Sequence, residues 1–374
     1  PAANLTTQAI DKFSRYHCNH QMFDDRQCAA VHPVTGRCVM RSWVVSFLLV
    51  CAGAVDAQSL QFAELGECEL ESGEVIERCR VGYRVIGERN TAGDNVVLFP
   101  TWFGGTSEAL VEVMAGGLVD TSRYQVVLID ALANGVSSSP SNNAAADSEF
   151  PVVTIQDMVD TQHRLATEVL GLDSVHAVVG ISMGGMQTYE WGVRYPQFMP
   201  RLVPIIGSPR LGAYDIALWH SNLKAHEWFR SCQCADAIEL MDAIGVLIGS
   251  TRGKIMADTS RGDVLDDIAS RAASSPLSVS TSWNTTRQLQ AMMRHDISNS
   301  LGDTMSAAAD TLVAPLLSIV AGTDHVVVPE PAIAFADTDD SQVLVLDTPC
   351  GHGAVRCVTP KIAQAVNDFL DTPQ

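Results

Sequence analysis

The chain has 374 residues, of which 47% are hydrophobic and 18% charged. That length and composition fit one large α/β domain with an insertion, or two domains, around a sizeable core. The formal net charge of -19 excludes nucleic acid as an expected partner, because phosphate contacts draw on Lys and Arg.

Residues 1–39 differ from the rest. They begin at Pro1 and carry Cys18, Cys28 and Cys38 with His17, His20 and His32, yet hold no Cys-x-x-Cys pair at zinc spacing. They read as an upstream or vector-derived segment without stable structure, and no metal is expected there. Met40 opens a signal-peptide pattern over residues 40–57. Arg41 supplies the positive start, Trp43 to Cys51 the apolar run, and Val55-Asp56-Ala57 the cleavage site. The apolar run is too short to span a bilayer. A mature chain from Gln58, secreted or periplasmic and without stable membrane insertion, is the expectation; a buried core helix is the competing reading. The mature part keeps Cys68, Cys79, Cys232, Cys234, Cys350 and Cys357. An even number in an exported chain suggests disulfides. Cys68 and Cys79 flank the turn signal Ser72-Gly73, and Cys350 and Cys357 bracket His352. Spacing leaves the connectivity open.

Residues 58–210 alternate strand and helix signals. Cys68–Leu70, Ser72-Gly73 and Val75–Val85 read as strand, turn, strand. Val96–Phe99 is a buried-strand run, followed by the loop Pro100-Thr101-Trp102-Phe103-Gly104-Gly105-Thr106. Val126–Ile129 is another such run, ending at Asp130; Ser137, Ser138 and Ser139 beyond it read as surface or capping residues. Thr154–Leu170 carries apolar residues at helical spacing and stops at Gly171. Val175–Val179 then leads into Gly180-Ile181-Ser182-Met183-Gly184 and a helix reaching Tyr195. Leu202–Ile206 is a further buried strand. Such alternation implies parallel βαβ units with helices on both faces of the sheet.

Gly180-x-Ser182-x-Gly184 between a strand and a helix is the pattern of the nucleophile elbow of α/β-hydrolases. Its logic is steric: a serine on a tight, strained turn needs glycine on either side. The next N–H, that of Met183, then points at the reacting oxygen from the helix N-terminus. The glycine-rich loop after Phe99 is where a second oxyanion donor belongs, with the N–H of Phe103 as first choice and Trp102 as second.

From 211 to 310 the strand rhythm stops, and helical stretches such as Ala235–Leu247 and Val264–Ala273 predict an α-helical cap. Trp219, Trp228 and Trp283 are candidates to line its pocket. Gly249 to Lys254 superficially resembles a phosphate loop, but its glycine spacing is one residue short and Ile255 follows the lysine. No cofactor is therefore expected. Asn284-Thr285-Thr286 is a glycosylation sequon. The core resumes over 311–374. Leu316–Val320 ends in Gly322-Thr323-Asp324-His325, and Val343–Leu346 is followed by Gly351-His352-Gly353. Ser182, Asp324 and His352 thus follow the chain order of an α/β-hydrolase triad. Ser182 would attack, His352 would take and return the proton, and Asp324, ahead of Asp340 and Asp347, would orient the imidazole.

The run from Ile155 to Pro196 resembles the homoserine O-acetyltransferase branch of the α/β-hydrolases. The specific matches are Gly180 to Gln187, Glu190-Trp191 and Tyr195-Pro196, with Ser72-Gly73, Gly82-Tyr83, Asp324 and Gly351-His352 elsewhere. The resemblance implies a helical cap, a Ser-His-Asp triad, an acyl-enzyme and a homodimer formed through the caps. Two departures separate the chain from that branch's acetyltransferases. Gly353 stands where they carry an acidic residue, and their arginine-containing cap segment is absent. Acetyl-CoA is moreover a cytosolic metabolite. An exported carboxylesterase acting on a small-molecule ester is the expected function. An O-acyltransferase and a non-catalytic binding module on the same scaffold are the alternatives, separated from it by acyl transfer to an alcohol and by absence of turnover.

Overall fold

Short apolar runs bounded by turn residues become the strands of a single sheet. The computed structural model describes residues 59–339 and 341–373. The expected upstream segment 1–39, the expected signal peptide 40–57 and Asp340 lie outside the described residues. The strands are β1 (Gln61–Glu69), β2 (Val75–Ile86), β3 (Val96–Pro100), β4 (Gln125–Ile129), β5 (Ala177–Ile181), β6 (Leu202–Ile205), β7 (Leu317–Ala321) and β8 (Gln342–Leu346). Their order across the sheet is β1-β2-β4-β3-β5-β6-β7-β8. The β1–β2 hairpin and the β2–β4 pair are antiparallel, and every later pair is parallel. All residues of β3 and β5 are buried, as expected for central parallel strands covered on both faces. Successive side chains part to opposite faces. Val96 and Leu98 join one core cluster, while Val97 and Phe99 join the other.

Helices α1 (Ser107–Ala115), α2 (Ile155–Arg164) and α3 (Met183–Arg194) connect the first strands. Thr154 caps α2, and Asp157 returns a bond to the Thr154 N–H at 2.8 Å, an arrangement worth about 0.5–2 kcal/mol. The expected single helix over 154–170 changes character at Leu165, where a π-helical turn runs to Val169. Between β6 and β7 lie α4 (Ala213–Cys232), α5 (Ala235–Ile248), α6 (Arg252–Asp258), α7 (Val264–Ala273), α8 (Val279–Met293) and α9 (Met305–Thr311). This insertion contains no strand. Helices α10 (Glu330–Asp339), α11 (Ala354–Cys357) and α12 (Thr359–Leu370) complete the fold. Among the described residues, no helix is long and apolar enough to cross a membrane.

Two sequence expectations need correcting. Ser137, Ser138 and Ser139 are buried rather than at the surface, although Ser139 does take a capping position, before the 3₁₀ turn Pro140–Asn142. Ser137 Oγ accepts from Gly82 N at 2.9 Å and donates to Asp130 O at 2.6 Å, so these hydroxyls fasten the loop after β4 to β2. Asn284 is likewise buried, its amide paired with Ser141 at 3.0 and 2.8 Å, which leaves the sequon no room for a glycan in the folded chain. Among the described residues the cysteine sulfurs meet in three pairs: Cys68 with Cys79, Cys232 with Cys234, and Cys350 with Cys357.

Glu190 on α3 is buried 3.9 Å from His295, whose Nε2 lies 3.0 Å from Ser208 O. Burial is the main cause that pushes the Glu190 carboxyl up to about 8, helped by Asp160, Glu71 and Asp296 and opposed by Arg194. Burial pulls His295 down to about 4. Between its ordinary value of 4.5 and about 8, folded Glu190 holds a proton that the unfolded chain releases, so stability falls as pH rises there. His295 acts oppositely between about 4 and 6.5. Above 6.5 only the Glu190 effect of this pair remains. The melting temperature is therefore expected to drop from pH 6.5 to 8, and Glu190→Gln is expected to flatten that drop. Thermal denaturation of both proteins across the range checks it.

Candidate active site

The site is built where the central strands end. At the β5–α3 turn the chain closes on itself. A Cβ on Gly180 would lie 2.1 Å from Gly184 O, and one on Gly184 would lie 2.6 Å from Pro100 O. No side chain fits at either place. The turn holds Ser182 at φ 57 and ψ -120, a region that costs a non-glycine residue about 1–3 kcal/mol. Its N–H bonds Ile205 O at 2.8 Å, which ties the turn to the end of β6.

Asp324 follows β7. Its Oδ1 accepts the N–H groups of Val326 at 2.8 Å and Val327 at 3.1 Å, leaving Oδ2 directed at His352 Nδ1, 2.7 Å away. With Asp324 as acceptor, Nδ1 carries the hydrogen. Nε2 then faces Ser182 Oγ at 2.9 Å with a lone pair. The structure thus joins three residues whose outer members stand 170 positions apart. His352 occupies a short 3₁₀ turn, Gly351–Gly353. Thr323 Oγ1 ties the two loops together by donating to Thr348 O at 2.7 Å, and Thr348 Oγ1 accepts from Cys350 N at 3.3 Å. Asp347 and His325 point to solvent, and His220 is exposed on α4.

Met183 begins α3, so its N–H is one of the orphan donors of a helix N-terminus. Neither Trp102 N nor Phe103 N donates to a protein acceptor among the described residues. Both remain open to a bound oxygen. Ser182 and His352 face a cavity of about 640 Å³ walled by Trp102, Phe103, Ile206, Trp219 and Val326. The Phe103 and Trp219 rings lie 5.6 Å apart. Of the three expected tryptophans only Trp219 lines this space. Trp228 is exposed, and Trp283 packs against Arg230 and Arg287 at 4.0 and 5.2 Å. Among the described residues, no group of His, Cys, Asp and Glu converges as a metal site.

Sequence reasoning assigned no role to Asp215, Gln187 or Gln288, although Gln187 closes the matched run that begins at Gly180. Asp215 on α4 accepts from Val328 N at 3.0 Å and Gly212 N at 2.9 Å, joining the insertion to the loop that carries Asp324. Burial raises its pKa, and Asp324 adds to the rise. The Gly212-x-x-Asp215 spacing before a helix was its only local signal. Gln288 carries no local signal of its own, and Gln187 only its place in the run after the elbow.

The geometry and the chain order agree with the family found by comparison. Residues 94–355 match the α/β hydrolase fold, and the chain belongs to that family. Its relatives include esterases and homoserine O-acetyltransferases. Ethyl acetate hydrolase from Pseudomonas veronii is 39% identical over 159 residues, 41% of this chain and 46% of that protein. The chain thus spans about half the length of the esterase relatives it matches in sequence. A homoserine O-acetyltransferase from Clavibacter michiganensis subsp. michiganensis is 28% identical over 369 residues, covering 83% of this chain and 92% of that one. The crystal structure of an acetylester hydrolase from Corynebacterium glutamicum superposes with a TM-score of 0.75 at 26% identity, over 84% of this chain and 96% of that chain.

The strain at residue 182 is measurable. Ser182→Gly relaxes the positive φ, while Ser182→Ala keeps it. The glycine variant is expected to be more stable than the alanine variant by about 1 kcal/mol, after glycine's larger chain entropy is subtracted. Urea denaturation midpoints compare the two.

Proposed function

We propose that the chain is an exported serine esterase that cleaves small or medium acyl esters through an acyl-enzyme on Ser182. The observation that carries this reading is the continuous bond path Ser182 Oγ, His352 Nε2, His352 Nδ1, Asp324 Oδ2, at 2.9 and 2.7 Å. Ser182 Oγ attacks the ester carbonyl as its proton passes to His352 Nε2. Asp324 orients the imidazole and stabilises the imidazolium. The carbonyl oxygen takes the negative charge and is met by the Met183 N–H and by that of Phe103, with Trp102 as the second choice. Collapse expels the alcohol, which receives the proton from His352. Water then repeats the sequence on the acyl-enzyme, and the acid leaves with Ser182 restored.

Hydrolysis is favoured over transfer by Gly353, which stands where the resembling acetyltransferases carry an acidic residue, and by the mostly apolar wall of the cavity. The acetylester hydrolase superposition supports the same choice. Export is supported by the Met40–Ala57 pattern and the paired cysteines. Acyl transfer is kept as the second reading because the acetyltransferase relative spans 83% of the chain. Hydrolysis of p-nitrophenyl esters of graded length, with and without homoserine and acetyl-CoA, separates the two. The expected result is a burst of nitrophenol, labelling of Ser182 by a serine-directed phosphonate, and no increase in turnover with homoserine. Ser182→Ala is expected to lower kcat on the order of 10⁶-fold. Faster release of acyl groups to homoserine than to water would replace the esterase reading by the transferase one.

The Cys350–Cys357 pair closes a short loop around His352. As a disulfide it restricts the imidazole's backbone, so a dithiol reductant is expected to lower kcat, and a Cys350→Ser, Cys357→Ser double variant to show the lowered value without reductant. Equal activity of oxidised and reduced enzyme, with free thiols counted, would remove the disulfide's role.

A further inference from the structure

Resting on the proposed esterase mechanism, we propose that Gln187 and Gln288 are positioning residues that hold the oxyanion loop, residues 102–105, against the elbow from opposite sides. One acts from the core and the other from the helical insertion. Both side chains are buried.

The core side is a relay of three polar side chains. Trp191 Nε1 donates to Gln162 Oε1 at 2.9 Å, and Gln162 Nε2 donates to Gln187 Oε1 at 2.6 Å. An indole N–H only donates, so it determines which way the Gln162 amide faces, and Gln162 in turn determines Gln187. That leaves Gln187 Nε2 with two donors. They go to Met183 O and Thr101 O, each at 3.0 Å. One amide therefore joins the helix turn that presents the Met183 N–H to the strand end that begins the oxyanion loop.

The insertion side is a single amide on α8. Gln288 Oε1 accepts from Gly104 N at 2.8 Å, and its Nε2 donates to Leu132 O at 3.1 Å. A backbone N–H only donates and a carbonyl only accepts, so this amide also has one possible orientation. The loop needs such a tie. Its Trp102 and Phe103 N–H groups are open for substrate, Gly104 sits at φ +67, and Gly105 lies so close beneath the Trp102 ring that a Cβ would reach 2.5 Å from its Nε1. Thr101 is held by Ile129 O, and Gly105 O by Asn134 Nδ2. Between those anchors, Gln288 ties Gly104 to α8. The insertion thus contributes to transition-state binding without placing a polar group on the substrate.

Gln288→Met and Gln187→Met keep the side-chain length and remove the amide. Removal of one oxyanion donor typically costs about 10²–10³-fold in kcat, so loosening the loop is expected to cost about 10–100-fold. KM is expected to stay within about twofold, because the ground-state carbonyl uses these donors less. Affinity for butylboronic acid, which forms a tetrahedral adduct on the serine, is expected to weaken in proportion to kcat. The pH midpoint of kcat/KM is expected to stay in place because His352 is untouched. Arg287→Met is the control: it removes the neighbouring α8 ties to Phe150 O and Ser148 O and is expected to leave kcat within about threefold. If Gln187→Met fails to fold, Gln288→Met carries the test. Unchanged kcat and boronate affinity in Gln288→Met, or an equal loss in Arg287→Met, overturns the proposal. Failure of the phosphonate to label wild-type Ser182 instead removes the esterase mechanism beneath it.

Discussion

At the end of β5 two stretches of backbone approach closely enough to exclude a methyl group. Gly180 faces the carbonyl of Gly184, and Gly184 faces the carbonyl of Pro100. Every later feature of the site inherits its position from that contact. It bends the chain so that Ser182 stands at φ 57, clear of the sheet, with the first N–H of α3 directly behind it. It also draws the end of β3 against the elbow, which brings the loop after Thr101 within reach of the same oxygen. A larger side chain at either glycine would separate strand end from helix start, and Ser182 would part from the loop after Thr101.

The remaining pieces come from strand ends on the other side of β5. Parallel strands all finish at one edge, so β7 and β8 deliver Asp324 and His352 to the edge where β5 delivers Ser182. Backbone N–H groups fix one oxygen of Asp324 and leave the other for the imidazole. Thr323 and Thr348 clamp the two loops. The helical insertion then closes the space from above. It supplies Trp219 to the cavity wall, Asp215 to the loop of Asp324, Gln288 to the loop over residues 102–105 and Thr251 to Pro349 near His352. A buried donor or acceptor left unmatched costs about 1–3 kcal/mol, so the Asp215 and Gln288 bonds tie the insertion to the core.

Much of this arrangement was legible along the chain. The strand runs, the elbow and the order of Ser182, Asp324 and His352 are local or sequential patterns, and spacing alone exposes them. Two of the misread stretches share one cause. Ser137 to Ser139 are polar and turn-rich, which favours the surface reading, but N–H groups of β2, 55 and 58 positions away, donate to Ser137 and Ser138. Asn284 carries a sequon, yet Ser141 covers it. Trp283 is taken up by two arginines, and Trp228 by solvent. For the serines and Asn284 the deciding neighbour is distant in sequence, so no window around the residue contains it.

The sequence by itself therefore determined the class of fold, the elbow and the identity of the three convergent side chains, because steric need for glycine, hydrophobic periodicity and strand-end order are written within short spans. Only the tertiary structure decided which backbone N–H groups lack a protein acceptor, which tryptophan meets the cavity, and that amides on α3 and α8 bond Thr101 O and Gly104 N. Those outcomes depend on hydrogen-bond partners brought together from separate elements, as between Gln288 and Gly104, 184 positions apart. A buried amide takes its function from whichever groups the packing sets beside it.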